Sequence, residues 1–276
     1  MAGMAVTKNQ LQLGRILREL RESRGLTQRD VETGTKRAIN KTSLSNLESA
    51  KSVVSWTVCK ELADHYGADK PTRARIIHLA QNVHDKGDWE DYTGFSDFSL
   101  YLSLEPDADV LITVDPEVVT GVLQTPDYAR AVLEASQELD SSEIEHALAV
   151  RAKRADLVLG VSGPRLVWVT TEGALGRVVG SPEVHREQLD HLMDAVSDRV
   201  SIEVIPQDSG AYAGMRGGYT LMRFGQDKYL SDVAYVESID GCRYIEDPDK
   251  VGQYSTVAER VRQVARPIAE VYDSVA

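Results

Sequence analysis

The spacing of apolar and polar residues divides the chain into two parts. Up to about residue 85, apolar residues recur every three or four positions, which is the spacing of amphipathic helices. Beyond about residue 92, helical stretches alternate with short runs rich in Val, Ile and Tyr, which are typical of strands. The pattern predicts a multidomain chain, with an all-α domain over residues 1–85, a short linker near residues 85–92, and an α/β domain with a mixed sheet over residues 92–276.

Turn and capping signals divide the first part into five predicted helices. Gly25 and Gly67 follow the first and fourth helices as stops, and Thr27 and Asn40 can cap the second and third. The fifth is predicted from about residue 71 to residue 83. The apolar face expected on the fourth helix consists of Trp56, Cys59, Leu62, Ala63 and Tyr66.

The third predicted helix has one apolar and one polar face. Leu44 and Leu47 are expected to face inward, with Ile39 as the apolar residue ahead of the cap. Short polar side chains lie on the other face: Lys41, Thr42, Ser45 and Asn46. Gln28 and Arg29 lie at the start of the second helix, where free backbone N–H groups favour a phosphate. This pattern is expected of a helix that lies in a groove of DNA, although a helix bundle with a solvated polar face would also show it.

A resemblance to a known DNA-binding domain covers two ordered segments. Residues 26–31 (LTQRDV) and 39–51 (INKTSLSNLESAK) resemble the pattern of Cro and phage-repressor-type (XRE) helix-turn-helix domains. The resemblance implies that the third helix is a recognition helix for double-stranded DNA, with Lys41, Thr42 and Asn46 at base edges. It also implies phosphate contacts by Gln28 and Lys51. The whole set of implied DNA-binding residues is Gln28, Arg29, Lys41, Thr42, Ser45, Asn46 and Lys51.

Two positions depart from the XRE pattern. The segment TGTKRA at residues 33–38 makes the turn between the second and third helices about two residues longer than usual. Ala50 stands after the recognition helix, where the family usually has Gly.

Charge is unevenly distributed in this acidic chain, whose formal net charge is −12. Residues 1–85 carry 14 Lys and Arg against 9 Asp and Glu, a net charge of +5, which leaves −17 for residues 86–276. Charges more than about 10 Å from a contact are largely screened at cellular salt concentrations. The first part can therefore bind phosphates while the second is expected not to bind DNA.

The second part carries both helix and strand signals. Helices are predicted at residues 126–138 and 142–158, and strands at RLVWVTT, VSIEVIP, YTLMRF and VAYVES. The helix PEVHREQLDHLMDAV separates the first two strands, so a parallel crossover is expected there. The last two strands follow each other closely enough to pair in an antiparallel meander.

Several segments of this part, among them TGVLQTPDYARAVL and RAKRADL, resemble a known C-terminal domain. It is the uncharacterised domain that follows an XRE domain in actinobacterial regulators of the WhiJ and Scr type. The resemblance covers nearly all of residues 88–276. It implies a transcription regulator that is often encoded beside a small partner protein, in an arrangement similar to a toxin and antitoxin pair.

Enzymatic activity has few candidates in this sequence. Glu172 follows one predicted strand and Glu237 ends another, so a glutamate-based transferase that acts on a nucleotide stays open. A glycine-rich loop contains Gly210, Gly214, Gly217 and Gly218. No Gly-Lys-Ser or Gly-Lys-Thr follows it, so we interpret it as a hairpin approach rather than a phosphate-binding loop. Our prediction is that the chain is not an enzyme.

Histidine and cysteine positions do not match a metal-binding pattern. His185 and His191 are six residues apart, outside any HExxH sequence, and are expected on a helix surface. Cys59 and Cys242 are far apart and are expected to be reduced and packed. We predict no cofactor and no metal.

The end of the chain has an apolar 4,3,4,3,4 spacing over Val257, Val261, Val264, Ile268, Val271 and Val275. These residues could pack against a helix of a partner. We favour packing of the last helix on its own domain, because Pro267 should kink or break a helix there. A homodimer is expected on other grounds, since one helix-turn-helix reads only a half-site.

A functional surface is predicted in the second part from polar residues at the family match and at strand or helix ends. It consists of Gln124, Thr125, Tyr128, Arg130, Glu172, Gln188, Gly218 and Glu237. The alternative is that residues such as Gln124 and Arg130 only satisfy groups inside the domain.

The sequence as a whole predicts a cytoplasmic, DNA-binding regulator that does not contact membranes. The alternative is an antitoxin-like protein that holds a small partner encoded nearby.

Overall fold

The computed structural model describes residues 6–84, 98–135, 139–225, 231–238 and 241–275. They form two compact units, of which the first reaches Ser103 and the second begins at Leu104. The linker predicted near residues 85–92 lies outside the described residues.

Five α-helices form the described part of the first unit up to residue 84. They are α1 (Lys8–Ser23), α2 (Gln28–Gly34), α3 (Lys41–Glu48), α4 (Trp56–His65) and α5 (Lys70–Gln81). The predicted caps are confirmed, because the Thr27 side chain accepts a hydrogen bond from Asp30 N and the Asn40 side chain accepts one from Ser43 N. Gly25 and Gly67 have positive φ angles of 65° and 63°, which glycine adopts without strain.

The core of this unit is made of the inward faces of the helices. Its most buried members include Leu13, Ile16, Leu17, Val31, Leu44, Leu47, Leu62 and Ile76. On α4, the predicted face is confirmed for Cys59, Leu62, Ala63 and Tyr66, but Trp56 is 43% exposed. Helical spacing fixes the side of a helix on which a residue lies, but not how far the core extends along it. Trp56 is the first residue of α4 and lies beyond the buried part of that face.

The second unit combines helices with strands. α6 (Ser99–Leu104) ends at its first residue. Its own helices are α7 (Pro126–Ala135), α8 (Ser141–Leu159), α9 (Glu172–Leu175), α10 (Pro182–Ala195), α11 (Pro248–Arg262) and α12 (Tyr272–Val275). Its strands are β1 (Val110–Val114), β2 (Arg165–Thr171), β3 (Val200–Ile205), β4 (Tyr219–Arg223), β5 (Val233–Ser238), β6 (Gly241–Ile245) and β7 (Arg266–Pro267). All four predicted strands are present.

The described strands form one mixed sheet in the order β6-β5-β4-β1-β2-β3-β7. β1, β2 and β3 pair in parallel, and every other neighbouring pair is antiparallel. The predicted parallel crossover from β2 to β3 through α10 and the antiparallel pairing of β4 with β5 are both confirmed. β1 was not predicted, yet it lies in the middle of the sheet between β2 and β4.

The interpretation of the glycine-rich loop as a hairpin is wrong. The loop joins β3 to β4, which are not neighbours, because β1 and β2 lie between them in the sheet. The loop therefore crosses from one strand to a distant one. Gly218 passes close to β1, since a Cβ atom there would lie 3.0 Å from the Val114 carbonyl oxygen. A side chain would push the two segments apart.

The apolar spacing at the end of the chain does not form one helix. α11 ends at Arg262, and Pro267 lies in the short strand β7, so the predicted interruption is confirmed. Val261 and Ile268 are buried, whereas Val264 is 40% exposed. Val261 packs in the core of its own unit.

The prediction that His185 lies on a helix surface is wrong, because its side chain is buried. It lies on the face of α10 that also buries Gln188, Leu189 and Leu192, and burial lowers its pKa.

Cys59 is buried and Cys242 is half-buried, and both are free thiols. Burial raises the pKa of the Cys59 thiol to about 12. Among the described residues, no helix is long and apolar enough to cross a membrane.

Candidate functional site

The polar face of α3 is accessible in the structure. Lys41 and Thr42 are exposed, and Ser45 and Asn46 are half-buried. Lys51, which follows the helix, is also exposed. The opposite face is held in the core through Leu44 and Leu47, both 0% exposed. The helix therefore presents the predicted base-contacting side chains outward.

A buried ion pair connects α1 to the end of α3. The Arg21 guanidinium donates to the Glu48 carboxylate from Nε, at 2.6 Å to Oε1, and from Nη2, at 3.0 Å to Oε2. Both residues are less than 10% exposed, and the hydrogen bonds to Glu48 raise the pKa of Arg21. A bidentate pair of this kind fixes orientation as well as distance.

Gln28 takes part in the same network. Its Nε2 donates to Glu48 Oε2 at 2.8 Å, so one hydrogen of the amide that was predicted to contact a phosphate is used inside the protein. The bond holds the start of α2 against the end of α3. Arg29, the next residue, is exposed.

Three further contacts from α1 position the end of α3. Gln10 Nε2 donates to the Ala50 carbonyl oxygen at 3.1 Å, and Arg18 Nη2 donates to the Glu48 carbonyl oxygen at 2.9 Å. Gly14 allows close approach, because a Cβ atom there would lie 2.5 Å from the Leu47 carbonyl oxygen. None of these three residues was predicted from the sequence to support α3. The available signal was a set of polar and glycine positions on the buried side of a helix.

Both departures from the XRE pattern correspond to unusual backbone conformations. Ala50 has a φ angle of 55°, and the Lys51 N–H bonds the Asn46 carbonyl oxygen at 2.8 Å. Ala50 thus takes the left-handed conformation that glycine usually supplies at a helix end. In the longer turn, Lys36 and Arg37 have φ angles of 49° and 66°. Each of these three residues carries a cost that glycine would avoid.

In the second unit, the sheet brings several predicted residues to one edge. β1, β2 and β3 run in the same direction, and β5 does too, because it is antiparallel to β4, which is antiparallel to β1. The carboxyl ends of these strands therefore share one edge, called here the carboxyl edge. Glu172 directly follows β2, and Glu237 lies near the end of β5. Gly218 immediately precedes β4 at the same edge.

Gln188 and Gln124 make hydrogen bonds inside the unit. The fully buried Gln188 accepts from the Thr125 N–H at 2.7 Å and donates to the Leu123 carbonyl oxygen at 2.8 Å. Gln124 Nε2 donates to the Val119 carbonyl oxygen at 2.6 Å. The alternative that these residues satisfy groups inside the domain therefore holds for Gln188 and for the Nε2 group of Gln124.

The other residues of the predicted surface have mixed environments. Tyr128 is 1% exposed, and burial raises its pKa. Arg130 forms an exposed ion pair with Glu145 at 2.8 Å. Glu172 accepts hydrogen bonds from the Gln207 N–H and the Ser274 hydroxyl, both at 2.8 Å. Both bonds lower the pKa of Glu172, and the bond from Gln207 has the larger effect.

Two charged residues that the sequence analysis did not select also lie near the carboxyl edge. Asp115 directly follows β1, and burial raises its pKa. Arg151 on α8 is half-buried, and burial together with the neighbouring Arg154 lowers its pKa to about 10. Arg151 is the first residue of the RAKRAD segment, whose resemblance to the family pattern implies no role for it.

The bundle with its exposed α3 defines the class of this protein, a helix-turn-helix DNA-binding domain followed by an α/β domain. Residues 12–76 match a family model described as a helix-turn-helix domain. Residues 98–274 match one described as a domain of unknown function (DUF5753). This second match spans more than half of the chain, which therefore belongs to the DUF5753 family. Searches of curated proteins and of solved structures found no match.

Proposed function

We propose that the chain is a sequence-specific transcription regulator of the XRE type, in which α3 enters the major groove. The observation that carries this proposal is the firm attachment of α3 to α1 beneath an accessible polar face. Direct readout requires a helix whose side chains are held in register with base edges. The Arg21–Glu48 pair supplies that rigidity.

The proposed contacts follow the position of each side chain. Lys41, Thr42 and Asn46 contact base edges, and Ser45 lies among them on the same face. Gln28, Arg29 and Lys51 contact phosphates on either side of the groove. Gln28 uses the amide hydrogen that Glu48 does not engage.

The α/β domain is proposed to dimerise the protein and to bind an effector or a partner. Two helix-turn-helix units in a two-fold dimer read two half-sites, which increases both affinity and specificity. The net negative charge of this part repels the phosphates of DNA, so it does not bind them. The protein acts in the cytoplasm by binding rather than by catalysis.

A second candidate function is that of an antitoxin-like protein that neutralises a small partner. Exposed apolar side chains in the α/β unit favour it, because such groups commonly mark protein-binding surfaces. They are Val161, Val178, Val196, Met215 and Val264. Co-purification of this chain with the product of a short adjacent reading frame would favour this function.

Selection of binding sites from random double-stranded DNA tests the main proposal. We expect a two-fold symmetric consensus, with half-sites one helical turn or a multiple of it apart. Selection repeated with any co-purified partner separates the two candidates. Recovery of no enriched sequence under either condition would contradict regulation by direct DNA readout.

A further inference from the structure

The carboxyl edge of the sheet holds a group of charges that the proposed DNA contacts do not use. These charges are Asp115, Arg151 and Glu237, and together with the neighbouring Gly121 and Gln124 we call them the edge cluster. The crevice beyond the carboxyl ends of parallel strands is where open α/β sheets commonly bind ligands.

Arg151 is the cation of the edge cluster. It is half-buried, and among the described residues it has no hydrogen bond or ion pair. Arg154, one turn further along α8, is instead bound by Glu105 through two hydrogen bonds of 2.8 Å. Glu105 therefore neutralises Arg154, whereas Arg151 has only the electrostatic attraction of Glu237 and no hydrogen-bonded anion among the described residues. A partly buried charge without a partner costs free energy, which a bound anion would recover.

Asp115 and Glu237 supply negative charge near Arg151. Asp115 and Glu237 lie at the carboxyl edge on β1 and β5, the two strands that flank β4, and Glu237 acts electrostatically on both Arg151 and Asp115. Among the described residues, the Asp115 carboxylate accepts hydrogen bonds from the N–H groups of Glu117, at 3.2 Å, and Val118, at 3.4 Å. Neither interaction involves a cation. Two neighbouring carboxylates with this environment favour a positively charged group between them.

Gly121 and Gln124 complete the cluster on the turn that faces α8. A Cβ atom on Gly121 would lie 3.8 Å from Arg151 Nε and 3.2 Å from Arg154 Nη1, so glycine leaves room for both guanidinium groups. Gln124 Oε1 is buried and has no hydrogen-bond partner among the described residues. It is a spare acceptor for an N–H donor.

We propose that the edge cluster binds a small zwitterion that carries one carboxylate and one primary ammonium group, as an α-amino acid does. The carboxylate lies on Arg151, and the ammonium group lies between Asp115 and Glu237. A phosphate dianion fits less well because it would face both carboxylates, and a simple amine would leave Arg151 without a hydrogen-bonded anion. This assignment rests on the proposed effector-binding role of the α/β domain and names the chemical class of the effector.

Thermal unfolding of the full chain tests the proposal, with each common L-amino acid as a probe and with acetate and methylammonium as singly charged controls. We expect at least one amino acid to raise Tm by about 3 to 6 °C at about ten times its Kd, as ligand linkage requires. The two controls should leave Tm unchanged. A Tm that no amino acid raises would overturn the proposal.

Variants locate the site. Arg151→Met should abolish the ligand-dependent rise, and Glu237→Gln, which alters an exposed side chain, should weaken binding about tenfold or more. Arg165→Met is the matched control, because Arg165 is exposed at the opposite end of β2, and it should respond like the wild type. Ligand response retained in both Arg151→Met and Glu237→Gln would overturn the assignment. If Arg151→Met does not fold, Glu237→Gln decides alone.

DNA binding, measured on the same samples with the selected site, separates this proposal from the previous one. DNA binding without any amino-acid response would overturn the zwitterion site and leave the regulator intact. Amino-acid binding without DNA binding would overturn the proposed regulator and leave the zwitterion site intact.

Discussion

Asn46 and Lys51 differ in the part of DNA that each is expected to contact. Asn46→Ala should cost about 1 to 3 kcal/mol on the preferred site and relax the choice of base there, because an amide can bond a base edge in two places. Lys51→Ala should weaken binding to all sequences alike and reduce the slope of log affinity against log salt by about one. Affinities for the selected site and its point variants, at several salt concentrations, measure both effects. Equal loss of specificity in the two variants would show that the recognition helix is placed wrongly.

The exposed Lys36 is held in a left-handed conformation, with a φ angle of 49°. Lys36→Gly should raise the free energy of unfolding by about 1 kcal/mol, since glycine adopts this conformation without the steric cost. Glu32→Gly, inside α2, is the control and should lower it by about 1 kcal/mol. Urea unfolding measures both. Destabilisation by Lys36→Gly would mean that its side chain makes a contact that outweighs the backbone cost.

Between elements, the distance from α1 to α3 depends on Gly14. Gly14→Ala would place a Cβ atom 2.5 Å from the Leu47 carbonyl oxygen, so one helix has to move. We expect a loss of about 1 to 3 kcal/mol in stability, together with weaker DNA binding, because α3 loses its position. Gly252→Ala is the matched control: it is also helical, its Cβ atom would have no neighbour within 4 Å, and it should stabilise by about 0.5 to 1 kcal/mol. Unchanged stability of Gly14→Ala would contradict this view of the interface.

The Arg21–Glu48 pair joins the same two helices through charge. Glu48→Leu alone should cost about 3 kcal/mol, because the buried Arg21 guanidinium keeps only the exposed Glu22 carboxylate and the Leu26 carbonyl oxygen as partners. The double change Arg21→Met with Glu48→Leu should recover most of that loss. A double-mutant cycle from urea unfolding gives the coupling, and additive effects would show that the pair does not act as a unit. DNA affinity of the folded double variant reports whether the pair also orients α3.

For the whole molecule, the division of charge predicts a division of labour. Residues 92–276 expressed alone should fold, form the dimer or partner contacts and fail to bind DNA, because this part is acidic and long enough for its own core. Circular dichroism, light scattering and a DNA-binding assay test the three statements. A monomeric fragment beside a dimeric full chain would place the dimer contacts in residues 1–91 instead.

Much of the element structure was determined by the sequence itself. Helix caps such as Thr27 and Asn40, stops such as Gly25, and the four predicted strands depend on residues within a few positions of one another. Short-range periodicity and turn chemistry report such interactions directly. The accessible face of α3 follows from the same local pattern, because Leu44 and Leu47 fix which side is buried. Pro267 likewise interrupts the last helix through its own backbone geometry.

Only the tertiary structure decided features that depend on residues far apart in the chain. The strand β1 is apolar except for Thr113, and its central place becomes clear only when β2 and β4 pair with it. That pairing also turns the glycine-rich loop from an expected hairpin into a crossing connection. Helical spacing could not tell that Trp56 is exposed or that His185 is buried, since neither position determines what packs over it. Burial and electrostatics are properties of the assembled neighbourhood.

The candidate sites show the same limit. The sequence pointed to the outward residues of α3 but not to the partners that hold them, because Arg21 and Glu48 are 27 residues apart. In the α/β unit, the sequence selected Glu237, while Asp115 and Arg151 come near it only when separate strands and α8 meet at one edge of the sheet. Local chemistry determined which residue types were present. Long-range packing decided which of them are buried and which are paired.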